Sequence, residues 1–462
     1  MIYAKTIPTY DRFRALTRRN IDKSPFWAEL NEETREAITV VSAVLPFRTN
    51  EYVVNELIDW SSLPDDPMYQ LTIPQRDMLH DEEYETVASL LRENVSPEVL
   101  KKTVNRIRLG LNPHPAGQMD ENVPRLDGVP LQGSQHKYRE TMLFFPSQGQ
   151  TCHAYCTFCF RWAQFVDLDD MKFASREIDQ LIEYLRRHEE ISDLLITGGD
   201  PMIMKTKVLE KYIEPILEAN LEHLHTIRFG TKALSYWPQR FISDADSDDL
   251  MRLFERIVDS GKNLAIMGHY SHPVEFSTDV AQEAVRRIRS TGAIIRMQSP
   301  CIKHVNDDAD AWVSLWKTGV KLGCVPYYMF VERDTGAKDY FALPLVRVWQ
   351  IFRQAHQQLS GLGRTVRGPV MSAFPGKVHV LGVTHVGQEK AFVLEYLQAR
   401  DYEIIRQPFF ARYDKKARWF DDLRPLTERD KPFFPEDQWA GGTSQSDVSL
   451  SVLNGDFDNA IN

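Results

Sequence analysis

The chain has 462 residues, 43% hydrophobic and 26% charged, with a formal net charge of −10. That balance belongs to a folded chain with a sizeable core in two or three units, and it excludes a mainly disordered or membrane-embedded one. The acidic excess argues against nucleic acid or an anionic membrane as a partner, which leaves small molecules.

Taken in chain order, the opening "MIYAKTIPTYDRF" has neither a basic patch followed by an apolar stretch nor a small-residue cleavage site, and no apolar run reaches bilayer length. A cytoplasmic protein is expected. Residues 1–120 predict a helical leader, because "NEETREAITVVSAVL" and "DEEYETVASLLRENVSPEVLKKTVNRIRLGL" place apolar residues at helical spacing. Over 121–345 the pattern changes to short apolar runs, "MLFFPS", "DLLITGG", "HTIRFGT", "NLAIMGHY", "AIIRMQS" and "VPYYMFV". Amphipathic segments such as "EIDQLIEYLRRHEE", "SDDLMRLFERIVDSG" and "DVAQEAVRRIRSTG" separate them. Strand and helix in alternation predict an α/β fold with a parallel sheet, six units suiting a partial or complete barrel with its chemistry at the strand ends. Residues 346–440 predict a small α+β segment that opens on the helix "LVRVWQIFRQAHQQL" and passes through "GPVMSAFPGKVHVLGV". The Gly/Ser/Asn/Asp-rich tail at 441–462 predicts poor order.

Three of the five cysteines fall in "TCHAYCTFCF" as Cys152-x-x-x-Cys156-x-x-Cys159, just past the first apolar run. A cluster of this kind reads as a metal site in a reducing compartment, not as a disulfide framework. Three thiolates can hold three corners of a 4Fe-4S cube and leave the fourth iron open. An open iron can be chelated by the amino and carboxylate groups of S-adenosylmethionine, and an electron passed into the sulfonium then releases a 5'-deoxyadenosyl radical. The alternative is zinc with His153 as a further ligand, but no second Cys or His pair stands at a matching distance. Cys301 and Cys324 read as ordinary buried thiols.

The loop, with Phe158 directly before its third cysteine, resembles the radical SAM signature. Gly198 and Gly199 in "LLITGGDPMIM" would then let the backbone approach the methionyl amino group, with Asp200 shaping the same site. The resemblance narrows to the lysine 2,3-aminomutase (KamA-like) family over residues 66–380. It is carried by "DPMYQLTIP", "HKYRETMLFF", "TGGDP", "IRFGTKALSYWPQRF", "GHYSHPVEF", "MQSPCIKHVND" and "VPYYMF" in that order. It implies a radical SAM (β/α)6-type partial TIM barrel with a helical N-terminal extension. It also implies pyridoxal 5'-phosphate, which holds a free α-amino acid as an aldimine while hydrogen is abstracted and the amino group moves from the α- to the β-carbon.

By the same resemblance Lys377 in "SAFPGKVHV" is the Schiff-base lysine, Arg161 grips the substrate carboxylate, and Lys137 and Tyr138 contact pyridoxal. Gln298, His269 and His272 stand at strand ends as contacts to S-adenosylmethionine. An electron donor such as flavodoxin or ferredoxin and a homo-oligomer are implied as partners. Lysine-using members hold the distal ammonium with two aspartates; this chain has Arg333, followed by Asp334, at the first position and Val370 at the second. An inward Arg333 would favour an acidic side chain, so the substrate is open. Two further outcomes stay open: an amino-acid desaturase with the same cofactors, and a pyridoxal-free radical SAM enzyme that modifies a protein side chain.

Overall fold

The computed structural model describes residues 12–112, 122–166 and 173–438, and the tail expected at 441–462 lies outside the described residues. Two small strand pairs come first, β1 (Ala15–Thr17) with β2 (Arg48–Asn50), and β3 (Arg125–Leu126) with β4 (Val129–Pro130). The main sheet follows as β5 (Ser134–Tyr138), β6 (Thr141–Phe144), β7 (Asp193–Ile196), β8 (Thr226–Thr231), β9 (Asn263–His269), β10 (Ile294–Cys301) and β11 (Val325–Val331). It continues through β12 (Arg367–Ser372), β13 (Gly376–Val386), β14 (Glu389–Ala399) and β15 (Pro408–Arg412). Its strands lie in sequence order from β5 to β15.

All six apolar runs read from the sequence are parallel neighbours, β6 to β11, with a helix in each connection. β12 adds a seventh parallel strand after the helix Leu345–Gln357. The sequence assigns "RGPVMS" no element of its own, and its strand character comes from pairing with β11 and β13, Val370 facing Phe330 on one side and His379 on the other. β13 to β15 then run antiparallel, so the sheet crosses residue 346 without a break.

Burial alternates along the parallel strands. On β8 and β10, Ile227, Phe229, Ile295 and Met297 are buried in the main core, whereas Arg228, Arg296 and Gln298 on the opposite face are only half-buried. A parallel strand covered on both faces would be apolar throughout; a half-buried arginine on the second face of each of these strands, followed on β10 by Gln298, marks a face that lines a site.

The leader forms the helices Glu32–Val44, Asp81–Arg92 and Pro97–Gly110. The long helical run divides at "ENVSP", where Asn94 takes φ of 50° and Ser96 caps the next helix, with Pro97 in its first turn. These helices share a second core with Phe158 and Trp162 of the cysteine loop and its exit. Among the described residues no helix is long and apolar enough to cross a membrane.

Candidate active site

The cysteine loop leaves the C-terminal end of β6 and is pinned from outside by the leader. Asp66 caps the helix Pro67–Thr72 by accepting from the Tyr69 N–H at 2.7 Å. The last carbonyls of that helix then take the loop: Thr157 donates its N–H to Leu71 O at 3.0 Å and its hydroxyl to Gln70 O at 2.7 Å. β2 holds the other side, with Tyr155 N–H on Arg48 O at 2.8 Å and Asn50 Nδ2 on His153 O at 3.2 Å. A loop fixed at so many backbone points presents its thiols without having to order on binding.

Cys152, Cys156 and Cys159 are free thiols. Burial drives each upward in pKa, Cys159 to about 12 with the Cys156 charge adding to the effect. The loop therefore holds neutral thiols until a cation displaces their protons. Among the described residues no three His, Cys, Asp or Glu side chains converge as ligands of a single ion. A cubic cluster asks for something else, one thiolate at each of three separate irons, and three half-buried free thiols on one rigid loop fit that demand. His153 is buried and held near a pKa of about 3, chiefly by burial.

The Gly-Gly pair has a reason that local pattern did not show. A Cβ at Gly199 would lie 2.6 Å from both the N and the O of Thr151, and one at Gly198 2.8 Å from Gly149 O and 2.6 Å from the Gln150 amide. Both glycines are close-approach positions against the strand-to-cysteine segment, whose carbonyls at Gly149 and Thr151 accept from the Asp200 N–H at 3.1 and 2.8 Å. Gly199→Ala is expected to cost about 1–3 kcal/mol in urea unfolding, since the clash is with backbone that cannot rotate away. The same variant should lose iron faster to a chelator.

Asp200 is buried, and its carboxylate is occupied by the protein itself. It accepts from the Thr231 hydroxyl at 2.7 and 2.9 Å, from Lys232 N–H at 2.9 Å and from Met202 N–H at 2.9 Å. Burial lifts its pKa to about 6 despite those donors. The side chain rivets the turn after β7 to the end of β8.

Lys377 is the second residue of β13, directly after Gly376, whose hypothetical Cβ would sit 2.3 Å from Gln398 O. Its ammonium donates to Gln398 Oε1 at 2.7 Å and lies 5.2 Å from the Tyr138 ring centroid and 5.0 Å from that of Tyr328. Burial, then Arg228 and Arg367, lowers its pKa to about 7, with Asp193 pulling the other way. Lys137 reaches the same corner, donating to the Ala373 carbonyl in the turn before Lys377. Tyr138 is buried, and burial raises its phenol.

Sequence reasoning missed Asp193 and Arg228, which pair at 2.6 Å, as well as Tyr328, Arg367 and Gln398. A signal existed for two of these: an arginine in the middle of "HTIRFGT", and a charged first residue in "DLLITGG".

Arg161 stacks over Phe145 at 4.3 Å and donates through Nη2 to Gln164 Oε1 at 2.6 Å, while its buried Nε has no partner among the described residues. Burial lowers its pKa to about 10, against the pull of Cys159 and Cys152. His269 and Gln298 pair in register on β9 and β10, and Gln298 pairs with Tyr328 on β11. The His269 ring stacks on Phe158 at 6.0 Å and its buried Nδ1 is unpartnered among the described residues. His272 caps the turn Pro273–Phe276 through Nδ1. Val370 is fully buried, and the Arg333 guanidinium lies 5.6 Å from the Phe160 ring centroid and 5.5 Å from that of Trp419. Cys301 and Cys324 are buried in the main core.

No family model matches the chain. A protein of Aquifex aeolicus (strain VF5), provisionally named an L-lysine 2,3-aminomutase, is 31% identical over 402 residues, which span 87% of this chain and 94% of that one. A glutamate 2,3-aminomutase of Clostridioides difficile (strain 630) is 27% identical over 190 residues, 41% of this chain and 42% of its own. A solved radical SAM methyltransferase from Sphaerobacter thermophilus aligns over 49% of this chain and 66% of its own, with 16% identity and a TM-score of 0.35. With three free thiols on a pinned loop and a relative matched across nearly its whole length, the chain belongs to the lysine 2,3-aminomutase (KamA-like) family of radical SAM isomerases.

Proposed function

We propose that this radical SAM aminomutase uses pyridoxal 5'-phosphate, acts on a free α-amino acid and moves its amino group from the α- to the β-carbon. The parallel strands, in this reading, form the partial (β/α)6-type barrel. The observation that carries it is Lys377: a half-buried amine between two tyrosine rings, with a pKa of about 7, in the same molecule as the cysteine loop. A lysine that sheds its proton near neutrality is a competent nucleophile toward an aldehyde.

When bound, the cluster and S-adenosylmethionine supply a hydrogen-abstracting radical, and pyridoxal supplies the π-system across which nitrogen can migrate. Cys152, Cys156 and Cys159 would hold the iron of that cluster. Gly198 and Gly199 keep the turn after β7 against the loop, and the unpartnered His269 Nδ1 offers a donor or acceptor on the same rim as Gln298. Tyr138 and Tyr328 flank the amine of Lys377, and Gln398 Oε1 accepts its proton-bearing form. Arg161 presents a planar fork with an unsatisfied N–H, suited to a substrate carboxylate. Val370 and Arg333 supply no carboxylate pair for a distal ammonium, so lysine is not the proposed substrate. A reducing cytoplasm and a small electron carrier such as flavodoxin or ferredoxin suit an exposed-iron centre.

The test is anaerobic reconstitution with iron, sulfide and pyridoxal phosphate, then dithionite, S-adenosylmethionine and a panel of α-amino acids, read by product mass. A rearranged product of unchanged mass is expected. A product lighter by two hydrogens would make the protein a desaturase, and failure to retain pyridoxal would place it with side-chain modifiers.

A further inference from the structure

Tyr236 ends the short helix Ala233–Tyr236 that follows β8, and it is 1% exposed. Three contacts hold it. Its N–H donates to Lys232 O at 2.9 Å, its carbonyl accepts from Asn50 Nδ2 at 2.9 Å, and its hydroxyl lies 3.5 Å from the Cys156 sulfur. The same Asn50 Nδ2 also reaches His153 O in the cysteine loop, so one side chain couples the positions of phenol and thiol.

The ring is fixed from a further side. Lys232 Nζ lies 4.6 Å from the Tyr236 ring centroid and pairs with Glu275 Oε1 at 2.5 Å, the two side chains being 9% and 0% exposed. His269 O at 3.1 Å and Ser271 Oγ at 3.3 Å complete the ammonium's partners. The second Glu275 oxygen takes the N–H groups of Ser271 and His272. An ion pair satisfied on every side is a rigid support, and it has no spare valence to offer a ligand.

We propose that Tyr236 is a positioning residue for the iron–sulfur cluster, its hydroxyl donating to the Cys156 sulfur and thereby setting the cluster's reduction potential. This rests on the three cysteines holding that cluster. A cysteine bound to iron is a thiolate with no proton to give, so the phenol is the donor at this contact. Reduction adds negative charge to the cluster sulfurs, and a donor fixed at one of them stabilises the reduced form more than the oxidised one. Burial of the phenol strengthens the effect because the Tyr236 ring, 1% exposed, keeps its hydroxyl from spending its proton on solvent. The Lys232–Glu275 pair keeps the ring from turning the hydroxyl away.

The experiment compares unsubstituted and Tyr236→Phe protein, both reconstituted anaerobically with iron and sulfide, in a redox titration followed by paramagnetic resonance without S-adenosylmethionine. Tyr236→Phe should shift the oxidised-to-reduced equilibrium about tenfold toward oxidised, a midpoint about 59 mV more negative for a one-electron couple. An unmoved midpoint at equal iron content overturns the proposal. Should the phenylalanine variant not hold iron, 3-fluorotyrosine placed at position 236, a stronger donor, should move the midpoint the opposite way, and no movement there overturns it equally. Unsubstituted protein that assembles no cluster overturns the cluster assignment together with this proposal, whereas a cluster whose midpoint ignores position 236 overturns this proposal alone.

Discussion

Alanine at any one of Cys152, Cys156 and Cys159 is expected to abolish both the paramagnetic signal of the reduced cluster and the cleavage of S-adenosylmethionine, while the chain still folds. The two halves of that result have separate causes. Each iron of the cube that faces the protein has a single thiolate, so two remaining cysteines cannot hold three corners. The fold should survive because the empty loop contains neutral thiols, burial having raised all three, and is held by backbone contacts to Arg48, Gln70 and Leu71. The control is Cys301→Ala or Cys324→Ala, where the thiol belongs to the main core. Those variants should keep full iron and lose about 1 kcal/mol of stability, the cost of a small cavity. Iron and sulfide content, the reduced-state spectrum and deoxyadenosine yield decide the matter. Retention of a normal cluster after loss of one loop cysteine would remove the basis of the assignment.

The second large effect is at Lys377. Lys377→Ala should yield no borohydride-stable adduct with pyridoxal phosphate, and turnover should fall by about 10²–10⁴-fold, the range for losing a positioned proton-transfer group, or further if the cofactor is not retained. The unsubstituted protein carries a pH signature. The amine's pKa lies near 7, below the ordinary lysine value, because burial and then Arg228 and Arg367 disfavour its charge. Only the neutral amine attacks an aldehyde, so the rate of pyridoxal attachment should climb as pH rises through about 7 and level off above it. An exposed lysine would go on climbing past pH 9. Arg228→Gln should move the midpoint upward, because it removes a repelling charge, whereas Asp193→Asn should move it downward. Stopped-flow absorbance of pyridoxal binding across pH measures both, and a profile still rising at pH 9 would show that Lys377 is an ordinary solvated lysine.

Several elements were legible because their signal is local. Each of the six apolar runs became a parallel strand, since a strand buried beneath helices must be apolar at alternate positions whatever it pairs with. The cysteine spacing was legible for a similar reason, three ligands within eight residues needing no distant partner. The turn ahead of Lys377 could be placed by its Pro-Gly pair, although the lysine's altered acidity could not.

Elements built from distant residues were not legible. Within the α+β segment at 346–440 the sequence assigns β12 no element of its own, and it is the neighbours on both sides that make it a strand. Gly198 and Gly199 were legible as positions of close backbone approach, whereas the crowding against residues 149–151, nearly fifty positions earlier, was not. Asn50, an unremarkable polar residue in the leader, joins His153 to Tyr236 across more than a hundred residues on one side and nearly two hundred on the other.

By itself the sequence determined the chemistry available: three thiols in one loop, a lysine after a tight turn, and an alternation of strands and helices that sets them at one sheet. Tertiary structure alone decided how that chemistry is tuned, by bringing Arg228, Arg367 and Asp193 to one amine and Tyr236 to one sulfur. The reason is physical. Periodicity records whether a residue is buried, which each segment reveals alone, whereas electrostatic tuning depends on which charges lie within a few ångströms, and that is known only when the chain has closed on itself.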